Sequence, residues 1–285
     1  LAIPNASPWR SGLTLMTNKG PRVPQIIKLL DWQDNPDHYI IVLERPIPCT
    51  NMLSFMKLQG GSLNERTARH VMQQVIHTAN VCCECGVFHR DIKLENVLIN
   101  HDTLEAKLID FGCGELMKES PYMAFRGTRV HCPPEYHVNG GYHAKPATVW
   151  SLGILLFATV CGYYPSDNDL SMISEDEWCK PGLSQECCLT ISASLQPDPE
   201  QRLGLEEMWL HDWFKILKDS FLSNVFSYHP RPSQVCSKCH ECIYLNNADV
   251  YVFVSGHGVR WRTTENSSIT ATLLFQSSVS FASGG

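Results

Sequence analysis

The sequence predicts an α+β fold in which a small β portion precedes a larger helical one, and three stretches carry that expectation. Two short apolar runs, residues 26–32 and 38–43, flank Gln33-Asp34-Asn35-Pro36-Asp37, a strand-turn-strand signal. Ala68, Val71, Val75, Ile76, Ala79 and Cys82 recur at helical spacing until Gly86 stops the turn, behind Ser62-Leu63-Asn64-Glu65, which has the form of a capping box. Residues 148–161 are apolar nearly all round, as a helix enclosed in the middle of a helical domain must be.

The remaining elements follow in chain order. Residues 1–25 are rich in Pro, Ser, Asn and Gly with little periodicity and are expected to be irregular. After the long helix come two brief strand-like pieces, 96–99 and 107–109, then an irregular stretch holding Gly112, Gly114, Pro121, Gly127, Pro133 and Pro134. Helical pattern returns over 183–195 and 205–217. From about Asp219 the composition turns to Ser, Thr, Val and Asn with scattered aromatics and no period, so a boundary is placed there. Leu1 stands where an initiating methionine would, as expected of a fragment or of a gene reading that lacks its first exons.

Composition narrows the function. With 285 residues, 44% of them hydrophobic, the chain can bury a substantial core. A net charge of −6 and the lack of a clustered basic surface argue against nucleic-acid binding, which draws its affinity from counterion release. The longest apolar run, near 152–161, is shorter than the roughly 18 residues of a membrane span, and no charged-then-apolar signal opens the chain. No membrane partner is expected, and the cytoplasm or nucleus is the expected location. The cysteines number thirteen, an odd count, and many, such as Cys82, Cys83 and Cys161, sit in apolar or helical stretches; they read as reduced thiols. Cys236, Cys239 and Cys242 have half of a zinc-site spacing, but no second pair follows, so the reading divides between a metal site completed from elsewhere and an incidental thiol cluster. Asn266-Ser267-Ser268 matches a glycosylation sequon and reads as an ordinary polar loop.

The chemistry concentrates in His89-Arg90-Asp91-Ile92-Lys93-Leu94-Glu95-Asn96 and in Asp110-Phe111-Gly112. Phosphoryl transfer from ATP needs a carboxylate that orients the acceptor hydroxyl and takes its proton, plus oxygen ligands for Mg2+ on the phosphates. Asp91 supplies the first, and Asn96 with Asp110 the second. Lys93, two residues beyond Asp91, would reach the transferred phosphate. Any three of these residues alone would be weak, but an H-R-D-x-x-x-x-N run followed by D-F-G between short strands is a specific joint match.

On these motifs, residues 23–214 resemble a eukaryotic protein serine/threonine kinase, with the Pim kinases the closest fit. Leu43-Glu44-Arg45-Pro46-Ile47-Pro48 resembles the Pim hinge, where a proline removes one of the usual N–H donors to adenine. Gly127-Thr128-Arg129-Val130 leading into Pro133-Pro134-Glu135, and Val149-Trp150-Ser151-Leu152-Gly153-Ile154-Leu155-Leu156, extend the likeness. The resemblance implies a protein-kinase-like fold, mainly the helical C-lobe with a remnant of the small β lobe: 1–25 an irregular remnant, 26–218 the kinase domain with its hinge near 44–48 and C-lobe over 49–218, and 219–285 a tail. It implies ATP and Mg2+ as cofactors. Leu43 would be the gatekeeper, Glu44 and Pro46 hinge contacts, and Leu98 and Ile109 the apolar floor under adenine. Glu135 would form a buried pair with Arg202. Substrates would be proteins with basic residues near the phosphosite.

The likeness has gaps. No G-x-G-x-x-G precedes the hinge, no glutamate precedes Glu44, and Lys19 and Lys28 lie in the wrong context for the strand lysine that grips the phosphates. Thr148 stands where most kinases, though not the Pim group, have an aspartate. Arg126 takes a position that is acidic in the Pim pattern and is expected to repel Arg90 and loosen the activation segment unless a phosphate or another acid intervenes. Of the acids that favour basic substrates Glu95 remains, while Asn51, Ser54, Ala158 and Tyr163 replace others, so a weakened preference is expected. The rival reading is a pseudokinase-like binding scaffold.

Overall fold

The computed structural model describes residues 9–19, 23–34, 39–215, 242–244 and 250–254. The chain opens with a helix rather than the irregular segment expected, α1 (Trp9–Thr17). Leu13, Thr14 and Thr17 are buried, and the helix packs on the turn at Phe111–Cys113. Asn18 fastens its end: its amide donates to the carbonyls of Thr14 and Ile27, and its Oδ1 accepts from the Leu29 amide at 3.1 Å. Two turns around Gly12 have little helical propensity, so tertiary packing makes this helix and local sequence does not announce it.

The hairpin is present as β1 (Leu29–Asp34) and β2 (Tyr39–Glu44), antiparallel with an irregularity between Leu29 and Asp31. Beyond it the tail contributes β8 (Cys242–Tyr244) and β9 (Val250–Val254). The sheet order is β1-β2-β9-β8, with β9 antiparallel to β2 from Ile40↔Val254 to Glu44↔Val250. The boundary placed at Asp219 lies outside the described residues. A lone two-stranded hairpin is marginal in water, which gives a prediction: removing residues 216–285 should speed amide exchange on the β9 side of 40–44 by roughly tenfold or more. Exchange measured by mass spectrometry that is the same in both chains would show that β2 does not depend on the tail.

The larger lobe begins with a three-stranded sheet, order β3-β5-β6, from β3 (Cys49–Asn51), β5 (Val97–Asn100) and β6 (Ala106–Leu108). Asn51 caps α2 (Met52–Leu58). The long helix is α3 (Glu65–Glu84), and its N-cap is Asn64, which accepts from the Thr67 amide; the expected box between Ser62 and Glu65 does not form. Glu65 is drawn elsewhere, accepting from the amide and hydroxyl of Ser184, both at 2.6 Å, and from the Trp213 indole at 2.7 Å. These longer-range partners outcompete the local motif.

After α3 the chain forms β4 (Val87–Phe88), which pairs with β7 (Glu115–Leu116), and then α4 (Pro134–Asn139). The enclosed helix α5 (Ala144–Cys161) starts before the apolar run does. It is long and apolar enough to cross a membrane by composition, but 83% of it is buried inside the lobe, the mark of a core helix. Thr148 satisfies its hydroxyl on the Ala144 carbonyl. Then come α6 (Asp167–Ser174) and α7 (Gln185–Ser194). The helix expected over 205–217 is broken into a 3-10 turn at Met208–Leu210 and the short α8 (Asp212–Lys215), residues 216–217 lying outside the described set. His211 is extended between them and its ring meets the Thr190 hydroxyl at 2.7 Å. The cysteines from Cys49 to Cys188 are free thiols in the structure.

Candidate active site

The His89–Asn96 stretch leaves β4 and enters β5 through a 3-10 turn at Leu94–Asn96. Asp91 is buried, yet both carboxylate oxygens are engaged. Its Oδ2 meets the Lys93 ammonium at 2.7 Å and the Asn96 amide at 3.1 Å; its Oδ1 accepts from the Thr128 amide at 2.9 Å and hydroxyl at 2.7 Å. Lys93 in turn donates to the Thr128 oxygen at 2.9 Å, so Asp91, Lys93 and Thr128 close a ring of contacts. Asn96 also donates to the Asp91 carbonyl at 2.8 Å. Burial pushes the Asp91 carboxyl up, but the bonds from Lys93 and Thr128 outweigh it and hold its pKa below the usual range. Burial likewise pulls Lys93 down, and Asp91 more than reverses that. At neutral pH the pair is therefore ionised on both sides.

Two backbone features seat this ring. Gly127 has φ of +136°, and a Cβ there would lie 2.5 Å from the Arg90 carbonyl oxygen, so only glycine brings Thr128 onto Asp91. His89 is buried; one ring nitrogen, Nε2, meets the Ile109 carbonyl at 3.0 Å and the other, Nδ1, accepts from the Asp91 amide at 3.3 Å. That pattern fits the neutral imidazole with its proton on Nε2, and burial lowers the His89 pKa in the same direction. Through Ile109 this histidine couples the loop to Asp110, whose backbone is left-handed at φ of 62° and whose Oδ1 accepts from the Gly112 amide at 3.0 Å. The Phe111 ring packs on His89 with centroids 4.8 Å apart. Asp110 itself is exposed. Asp91, Lys93 and Asn96 are thus in direct contact, and Asp110 joins them across the histidine.

Residues 13–214 match the family model for the protein kinase domain. The chain belongs to the protein kinase family. It is similar to the serine/threonine-protein kinase pim-2 of Danio rerio, 40% identical over 189 residues, which cover 66% of this chain and 61% of that protein. It is 38% identical over 205 residues to the serine/threonine-protein kinase prk-2 of Caenorhabditis elegans, covering 70% and 46%. A more distant relative, the CBL-interacting serine/threonine-protein kinase 13 of Arabidopsis thaliana, is 31% identical over 204 residues, 68% and 40%. The chain spans about half the length of the curated relatives it matches.

Several kinase expectations can be placed on this lobe. The buried pair is present: Arg202 makes a two-pronged contact with Glu135, at 2.9 and 3.1 Å, and also donates to the carbonyls of Pro146, Gln196 and Pro197. Leu43 on β2 and Leu98 on β5 are buried, while Ile109 and Pro46 are half-buried. Glu44 Oε1 accepts from the Lys28 amide and from Lys107 Nζ, both at 2.9 Å, which ties the end of β2 to β6. Ala158 lies buried in α5, so that position faces core and not substrate.

The expected clash between Arg90 and Arg126 does not arise. Arg126 is exposed, whereas the Arg90 guanidinium is buried and meets the Glu115 carboxylate at 2.5 Å, the Ala124 carbonyl and the Tyr142 hydroxyl. Sequence reading missed both Glu115 and the role of Thr128. Of the thiol cluster, Cys236 and Cys239 lie outside the described residues, as does the Asn266 sequon. Among the described residues no group of three or more His, Cys, Asp or Glu could hold a metal ion.

Proposed function

We propose that this chain carries the phosphotransfer centre of a serine/threonine protein kinase, moving the γ-phosphoryl group of ATP to a Ser or Thr hydroxyl of a protein. The observation that carries the reading is Asp91, a buried carboxylate kept ionised and oriented by Lys93, Thr128 and Asn96. Family membership brings ATP and a divalent metal in general. The residues present suit Mg2+: Asn96 spends its amide nitrogen on Asp91 and keeps its oxygen, and Asp110 spends Oδ1 on Gly112 and keeps Oδ2. Two hard oxygen donors with no thiol or imidazole are what a phosphate-bound Mg2+ requires, in contrast to a closed protein cage. When bound, the ion would neutralise charge on the phosphates.

The chain's own residues do the rest. Asp91 accepts the hydrogen bond of the incoming hydroxyl, orients it and takes its proton. Lys93, held positive beside it, offsets charge on the group in transit. Thr128 fixes the carboxylate plane so that the hydroxyl meets one geometry. Exposed Glu95 supports a preference for basic residues near the phosphosite, weakened by Asn51, Ser54 and Tyr163.

Without a Gly-rich loop or strand lysine before the hinge, this chain should bind Mg-ATP weakly and turn over slowly. The deciding measurement is radiolabelled transfer from millimolar ATP to a Ser/Thr peptide, for the chain and for Asp91→Asn. Transfer above background that the substitution abolishes is expected. Equal transfer by both forms would remove Asp91 from the chemistry, and no transfer by either, with specific protein capture, would favour the scaffold reading.

A further inference from the structure

We infer that Glu115 is a positioning residue: its carboxylate supplies, from β7, the one negative charge among the described residues that holds buried Arg90, and with it the register between the catalytic loop and the segment over 117–133. Arg90 is under two constraints. Its backbone is left-handed at φ of 68°, a conformation that a bulky residue keeps only when its surroundings over-determine it. Its side chain is 2% exposed, so its charge must be met inside the protein.

Of the acceptors that meet it among the described residues, the Ala124 carbonyl and the Tyr142 hydroxyl are neutral, and only Glu115 carries charge. The Arg90 Nε has no hydrogen-bond partner among the described residues, which leaves the guanidinium more dependent on those contacts. Glu115 is itself 43% exposed, reaching the cation from the wet side, with Lys118 4.0 Å from its other oxygen.

The placement makes this contact a link and not a surface ornament. Phe88↔Glu115 is a β4–β7 partner pair, so the carboxylate stands on backbone fixed to the strand that launches the catalytic loop. Arg90 immediately precedes Asp91, and its carbonyl is the surface on which Gly127 packs. Ala124 lies on the segment that delivers Thr128 to Asp91. Releasing Arg90 would therefore loosen the path on both sides of the carboxylate.

The inference is tested in the 285-residue chain by amide exchange over 117–133, a readout that needs no turnover and so separates its failure from that of the phosphotransfer reading. Glu115→Gln, which keeps shape and loses charge, should raise exchange there by roughly tenfold, with α3 and α5 unchanged. Tyr142→Phe, which removes a neutral acceptor, should raise it less than about twofold. Should Glu115→Gln not fold, Glu115→Asp is read in its place, with about threefold faster exchange expected. Unchanged exchange in the Glu115 variant that folds, or a Tyr142→Phe effect as large as that of Glu115→Gln, would each overturn the proposal.

Discussion

Arg202→Ala is expected to destabilise the large lobe by about 3–5 kcal/mol, because it strands a buried carboxylate without its cation. Glu135 is buried, and the arginine it loses also satisfies three backbone carbonyls, at Pro146, Gln196 and Pro197. The Arg202 guanidinium further lies over the Trp150 ring at 5.1 Å, so packing on α5 goes with the charge. Against a total stability of about 5–15 kcal/mol for a typical domain, that loss leaves little margin. Replacing both partners with apolar residues of similar size, Glu135→Leu with Arg202→Met, should recover much of the loss, since no uncompensated charge remains. Urea unfolding of the three proteins measures both quantities. A single-variant loss under about 1 kcal/mol would mean that water reaches Glu135 once the arginine is gone.

The contrast between what could and could not be read from sequence has a physical cause. Asp91, Lys93, Asn96 and Asp110 could be singled out in the sequence because phosphoryl transfer restricts residue type at short spacing along one loop and its neighbour, and the first three are in contact in the fold. The Glu135–Arg202 pair, 67 positions apart, was legible only through family likeness. Thr128 escaped as an Asp91 ligand because 37 positions separate them, and the approach depends on the positive φ of Gly127. Glu115 escaped for a related reason: β4 and β7 are two residues each, too short for any period to betray their pairing. The Arg90–Arg126 opposition was expected unless a phosphate or another acid intervened, and the fold supplies that acid as Glu115. The loosening of the activation segment expected from Arg126 therefore no longer follows.

Helix reading failed in two directions. Over Trp9–Thr17 the local signal is weak and burial of Leu13, Thr14 and Thr17 makes the helix. Over 205–217 the apolar spacing is helical, yet Leu205, Met208, Trp213 and Phe214 reach the core from a path broken at His211. A buried face does not specify the backbone that presents it. The strand β9, remote in sequence from β2, could be found only by pairing.

Asp110→Asn is expected to cut phosphotransfer by orders of magnitude while leaving the fold intact, and the geometry says why the two effects separate. Asparagine tolerates the left-handed conformation at φ of 62° and retains the oxygen that accepts from the Gly112 amide. Asp110 is exposed, so removing its charge strands no buried partner. What disappears is the anionic oxygen that the proposed metal site would use, and with it most of the attraction that site would have for Mg2+ beside the phosphates. The loss should therefore depend on metal concentration: raising Mg2+ from about 1 to 50 mM should restore part of the transfer in Asp110→Asn and none in Asp91→Asn, where the missing group acts on the hydroxyl. The comparison is made on residual turnover of the chain, with thermal unfolding as the control for folding. Near-normal transfer by Asp110→Asn at low Mg2+ would withdraw the metal assignment, and equal insensitivity of both variants to Mg2+ would mean that Asp110 acts on the loop's geometry through Ile109 and His89 and not on the ion.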